Sequence, residues 1–136
     1  MEKYLEKLIK LIKKAEKKQE VPVACLILDK NGKIISKRIN NRQNKYNVLG
    51  HAEVNAILKA EKKIKDWRLD SCTMIVSLCP CELCQQIIKE ARIKKVYYLL
   101  NNPKNTLILN NIEKIKNKKY EEEYKFILQR FFVDKR

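Results

Sequence analysis

The residues that could do chemistry lie between His51 and Cys84. His51-Ala52-Glu53 opens the stretch, and Pro80-Cys81-Glu82-Leu83-Cys84 closes it. His51 is the chain's single histidine. Zinc takes imidazole nitrogen and thiolate sulfur in a tetrahedral shell; a structural site fills all four positions with protein, whereas a catalytic site leaves one for water. His51, Cys81 and Cys84 supply three ligands and leave the fourth place open. An ion so held lowers the pKa of its water to about 7. Glu53, two residues beyond the histidine, is not needed as a ligand and is free to move protons.

Two helix starts must position these groups. Val54-Asn55-Ala56-Ile57-Leu58 reads as a helix running from His51 to about Lys63, with Glu53 in its first turn. Pro80 marks the end of a strand, Cys72 to Leu78, and the start of a second helix from Cys81 to about Ala91. Helix N-termini favour negative charge, so both cysteines are expected to be held as thiolates. Two blander readings compete. A lone C-x-x-C suits a redox pair, which accounts for neither His-x-Glu nor Pro80. A closed structural zinc site needs a fourth ligand, and Cys79 is the nearby candidate.

The remaining elements follow from periodicity. Glu2 to Gln19 places Tyr4, Leu5, Leu8, Leu11, Ile12 and Ala15 on one helical face. Val23 to Leu28 is an apolar run suited to a buried strand, with Cys25 as a core thiol. Asp29-Lys30-Asn31-Gly32 is a turn, and Lys33 to Arg38 is the return strand. Ile39 to Gly50 is polar, holds four Asn, and reads as a loop ending at the first site helix. Lys95 to Leu100 is a further strand, 101–111 a loop, and Tyr120 to Phe132 the last helix. Hairpin, helix, strand, helix, strand, helix is an α/β order. It would bring both site helices to one end of the sheet.

Bulk properties bound the function. The 136 residues suit one domain, 1–136, with no internal repeat or linker. No apolar run approaches the roughly 18 residues of a membrane span. The N-terminus mixes glutamates with lysines and reads as no signal peptide. Five cysteines in that setting suggest reduced thiols and a cytoplasmic location. Net charge is +15, from 31 basic and 16 acidic residues, which points to a polyanionic partner such as nucleic acid. Lys30, Lys33, Lys37, Arg38, Arg42 and Lys45 form a segment without acids that leads into the metal motif. Lys114, Lys116, Lys118 and Lys119 form a second cluster before the last helix. The abundance of Lys, Asn and Ile could equally reflect codon usage.

His-x-Glu followed by Pro-Cys-x-x-Cys resembles the zinc deaminase signature. The chain is similar to the bacterial-type tRNA-specific adenosine deaminases of the cytidine deaminase-like superfamily. The likeness rests also on Glu20-Val21-Pro22-Val23, on Asn40 eleven residues before His51, on Trp67-Arg68-Leu69, and on Ala91-Arg92-Ile93. Phe131-Phe132 followed by Lys135 and Arg136 resembles the family's basic C-terminal helix. The resemblance implies a three-layer α/β/α sandwich with a mixed five-stranded sheet, its fifth strand within Thr106 to Leu109. It implies zinc, hydrolytic deamination at C6 of the wobble adenosine, and Glu53 as the proton carrier. It also implies substrate contacts at Val23, Asn40 and the backbone of Ala52, a tRNA anticodon stem-loop as partner, and a homodimer.

The chain departs from the family in places. Cys79 stands where the family has Glu, and Gly50 where a small residue such as Ala is common. The segment after the fourth strand lacks the family's glycines, and Asn102-Pro103-Lys104 matches its Asp-Pro-Lys only in part. Two other functions stay open on the sequence: a deaminase of free nucleosides, nucleotides or bases, and a non-catalytic zinc-stabilised RNA-binding module with Cys79 as fourth ligand.

Overall fold

A computed structural model describes residues 1–134; Lys135 and Arg136, expected to extend a basic C-terminal helix, lie outside the described residues. The elements are α1 (Glu2–Lys17), β1 (Ala24–Leu28), β2 (Ile34–Ile39), α2 (Ala52–Ile64), β3 (Thr73–Leu78), α3 (Glu82–Glu90), β4 (Lys95–Leu100), β5 (Ile112–Lys114) and α4 (Lys118–Asp134). The strands form one mixed sheet in the order β2-β1-β3-β4-β5. β1 runs antiparallel to both β2 and β3, and β3, β4 and β5 are mutually parallel.

Helices cover both faces of this sheet, giving a three-layer α/β/α sandwich. The apolar stripe of α1 (Leu5, Leu8, Ile9, Ile12) meets Tyr120, Tyr124 and Ile127 of α4 over Ala24, Leu26 and Ile75. On the other face, Ala56, Ile57 and Ala60 of α2 and Ile88 of α3 pack over Cys25, Ile27, Met74 and Val76. Every residue of β1 is buried, as a strand covered on both faces must be. Cys25 is a buried free thiol, as read from the sequence, and Cys72 is another.

A buried hydroxyl chain fixes α4 to the end of the sheet. Tyr124 Oη donates to the Pro22 carbonyl at 2.8 Å and accepts from Ser77 Oγ at 3.0 Å. Ser77 Oγ in turn accepts from the Ala24 N–H at 3.1 Å.

The fifth strand is not at Thr106 to Leu109. It lies at Ile112–Lys114, where Val96 pairs with Ile112 and Tyr98 with Lys114. The reason is hydrogen bonding. Gln85 Oε1 accepts from the N–H of Ile108 and Leu109, and Gln85 Nε2 donates to the Thr106 carbonyl, so an apolar run of strand-like composition is tied to a side chain instead of a neighbouring strand. The last helix begins at Lys118, two residues earlier than periodicity indicates. Asn117 receives its first turn: its side-chain oxygen accepts from Tyr120 N–H, and its carbonyl accepts from Glu121 N–H.

Candidate zinc-dependent active site

Two helix N-termini converge at one end of the sheet, as the α/β order implies. His51 is the N-cap of α2 and Cys81 the N-cap of α3, both with extended backbone. Cys81 Sγ accepts from the Cys84 N–H at 3.5 Å, so the C-x-x-C turn closes on itself. One ligand atom each from His51, Cys81 and Cys84 lies within 4.8 Å of the others. Sulfur ligands about 2.3 Å from a tetrahedral zinc sit roughly 3.8 Å apart. The donor set therefore fits one zinc ion with a place left open. Cys79, though buried, lies outside this ligand group. The closed four-ligand arrangement does not form among the described residues.

The electrostatics favour a metal that displaces protons. His51 is held below its ordinary pKa by partial burial and by the Arg42 charge, which keeps the imidazole neutral and able to ligate. Burial pushes the Cys84 thiol well up, with the Glu53 carboxylate adding to the effect. Without the ion, desolvation of a side chain with no exposed surface works against the helix end in holding Cys84 as a thiolate. Binding of the ion must release that proton. Glu53 is also buried, and desolvation raises its carboxyl to about 7, against the lowering effect of hydrogen bonds from its own backbone N–H and from Cys84.

The recess above these groups holds about 210 Å³, smaller than the roughly 300–1,000 Å³ of drug-sized ligand pockets and sized for a single ring system. Val23, Asn40, His51, Glu53, Cys79 and Cys81 line it together with Asn102 and Asn105. Val23 and Asn40, expected as substrate contacts, are thus among the lining residues. Ala52 is not in the lining: it is fully buried, and its N–H donates to Asn40 Oδ1 at 2.7 Å. Asn40 consequently spends its acceptor on the first turn of α2 and has its amide N–H groups left for a ligand.

Two positioning residues were given no role from the sequence. Glu20 is buried, and its carboxylate accepts from the N–H of Gln43 (3.1 Å) and Asn44 (2.7 Å) and from the Asn44 side chain. It holds the 40–50 loop against the recess. Gln85 has no exposed surface; its Nε2 donates to Pro80 (3.0 Å) and Thr106 (2.9 Å) carbonyls, and its Oε1 accepts from Ile108 (2.8 Å). It ties the segment preceding Cys81 to the loop that carries Asn102 and Asn105. Asn105 Nδ2 reinforces this by donating to the Cys79 carbonyl at 3.0 Å. Gly50 is required by the same loop as Asn40: a Cβ there would meet Asn41 Oδ1 at 2.5 Å and Arg42 N at 2.7 Å. No side chain larger than hydrogen fits without a shift.

The sheet order, the three-ligand set and the buried carboxylate beside it are those of a deaminase zinc-binding domain. Residues 1–100 match the cytidine and deoxycytidylate deaminase zinc-binding region, and the chain belongs to that family. It is 37% identical over 103 residues to a tRNA-specific adenosine deaminase of Bacillus subtilis, a match covering 76% of this chain and 63% of the relative. Its fold superposes with a TM-score of 0.83 on a structure from a study of A-to-I editing by tRNA:A34 deaminases at the wobble position of transfer RNA. That structure is 22% identical, and the match covers 91% of this chain and 99% of the other. A guanine deaminase from Bacillus subtilis shares the fold at a TM-score of 0.69 and 23% identity, over 93% of this chain and 92% of the other. At these identities the two structures speak to fold alone.

Proposed function

We propose that this single-domain chain hydrolytically deaminates adenosine to inosine at the wobble position of a tRNA anticodon. The observation that carries the reading is Glu53: a carboxyl buried beside a three-ligand metal set and lining a recess sized for one base. The 37% identity to a protein of that activity supports the choice of substrate. His51, Cys81 and Cys84 hold zinc, which when bound supplies a water ionised near neutral pH. Glu53 accepts a proton as water adds to C6, delivers it to the ring nitrogen, and assists the amine to leave as ammonia, with a carbonyl remaining at C6. Val23 packs against the base, and Asn40 offers its amide N–H to the purine edge.

A base must leave its stack to enter so small a recess, so a single-stranded loop is the fitting substrate. A second groove supports RNA over free bases. It shares Val21 and Gln43 with the recess and adds Lys18, Asn44, Phe131 and Phe132. Phe131 and Phe132 form an edge-to-face pair with ring centroids 5.3 Å apart, and half-exposed Phe132 offers a face on which a flanking base can stack.

The protein acts as a homodimer in the cytoplasm in this reading. Leu58, Trp67 and Leu83 are exposed around α2 and α3, beside a shallow recess lined by Val54, Ile57 and Ile87. Such an apolar face suits a subunit interface. No helix among the described residues is long and apolar enough to cross a membrane.

Ammonia release from an anticodon stem-loop, free guanine and free cytidine, measured in parallel, tests the substrate. Release from the RNA alone is expected. Release from a free base without RNA would move the protein to the small-molecule branch of the family.

A further inference from the structure

A second concentration of charge lies away from the recess, at the β2 edge of the sheet. β2 has no strand beyond it, and a groove runs along it between α1 and α2. Five cations line that groove: Lys7 from α1, Lys37 and Arg38 from β2, and Lys59 and Lys63 from α2. No acidic and no aromatic side chain lines it. The ion pairs among the described residues use other cations, namely Lys13, Arg68, Lys95, Lys114 and Arg130. Lys59 and Lys63 stand four residues apart on one helix, a like-charge spacing that costs stability. Lysines on an edge strand have an ordinary purpose, since they discourage pairing with another chain. That purpose accounts for Lys37 and leaves Lys7, Lys59 and Lys63 unexplained, because these come from helices on both sides and converge on the same groove.

The position of the groove relative to the recess names its occupant. β2 leads directly into Asn40, and α2 starts at His51. Arg38 at the recess-facing end of the groove precedes Asn40 by two positions, and Lys59 and Lys63 stand about 12 and 18 Å along α2 from His51 at 1.5 Å per residue. A loop nucleotide seated in the recess is joined to a stem whose phosphates lie at those distances. We propose that this groove is a docking track for the sugar-phosphate backbone of the RNA duplex that carries the target loop. The inference rests on the RNA reading above and extends it to the stem. Phosphate contacts add affinity and orientation without reading sequence. The absence of aromatics fits a duplex, whose bases are already stacked, and not a single strand.

The test compares two triple variants with equal loss of charge. One is Lys7→Ala/Lys59→Ala/Lys63→Ala, which keeps Lys37 and Arg38 on the edge strand. The other removes Lys14, Lys89 and Lys125, exposed lysines elsewhere, in the same way. Alanine is the best helix former, so both should fold. Fluorescence anisotropy measures binding to an RNA hairpin and to its loop sequence as an unstructured oligonucleotide, over a range of salt. The groove variant should bind the hairpin about tenfold more weakly, with a salt slope shallower by about 1 for each phosphate no longer neutralised. Its affinity for the single strand, and the control variant's affinity for both RNAs, should stay as in wild type. Equal weakening in both variants, equal weakening on both RNAs, or no change in the groove variant would overturn the assignment. Wild-type protein that binds the hairpin through the groove yet makes no inosine would remove the adenosine reading and leave the groove standing.

Discussion

Glu53 carries two opposing consequences of burial. A carboxyl raised to about 7 in the fold and near 4.5 when unfolded costs stability as pH rises between those values, because the unfolded chain ionises first. In zinc-stripped protein, Glu53→Gln should therefore raise the melting temperature, with a gain absent near pH 4, growing to about pH 7 and constant above. At about 1.4 kcal/mol per pH unit the gain is a few kcal/mol. The same variant should lose activity by two or more orders of magnitude, the range of general acid–base catalysis. Thermal denaturation across pH checks the first claim; a flat difference between the two proteins would contradict it. Cys79 gives a second residue-scale prediction. Because it stands outside the ligand group, Cys79→Ser should keep one zinc per chain by atomic absorption, whereas Cys81→Ser should lose it. Loss of zinc from the Cys79 variant would revive the closed site. These metal-site residues were legible in the sequence because each lies within three or four positions of a helix start, where spacing alone sets geometry. The protonation state of Cys84 was not, since burial is set by the whole fold.

The elements that shape the recess are joined by polar side chains acting over long separations. Gln85 is the clearest case. In sequence it is the first of two adjacent glutamines in an amphipathic helix, indistinguishable from a surface residue; in the fold it is buried and binds residues more than 20 positions away. The missed clamp is also why the fifth strand that the resemblance implies at 106–109 does not form there: a side chain takes the backbone groups a strand would use. Gln85→Ala should leave several backbone groups without partners, at about 1–3 kcal/mol each if they stay dry. The 105–109 loop should loosen, and KM for RNA should rise more than kcat falls. Faster hydrogen exchange confined to that loop, with zinc retained, is the expected signature. Exchange spreading through α3 with loss of zinc would show a general structural role instead. Tyr124→Phe addresses the opposite face. It removes the donor to Pro22 and the partner of Ser77, and denaturant unfolding should show a loss of about 1–3 kcal/mol. The main helices and the order of β1 to β4 were readable because their apolar periods are strong. The caps and clamps were not, because periodicity carries no record of which distant backbone groups a polar side chain will satisfy.

At the scale of the whole molecule, charge and exposed apolar surface divide the protein into faces. The +15 net charge was visible from composition, but the concave groove along β2 exists only once α1 and α2 flank the edge strand. The α2–α3 face was likewise hidden, because the fold alone decides which side of each helix the sheet covers and leaves Leu58 and Leu83 exposed. On the proposed homodimer across this face, Leu58→Asp should shift the protein to monomer in analytical ultracentrifugation while leaving zinc content intact; an unchanged sedimentation coefficient would contradict a dimer through this face. The most direct measurement is inosine at the wobble position of an anticodon stem-loop RNA, read by sequencing after incubation with wild type and with Glu53→Ala at matched zinc content. Inosine from the wild type alone is the predicted result. Inosine from both proteins, or from neither when each carries one zinc per chain, would contradict the central claim.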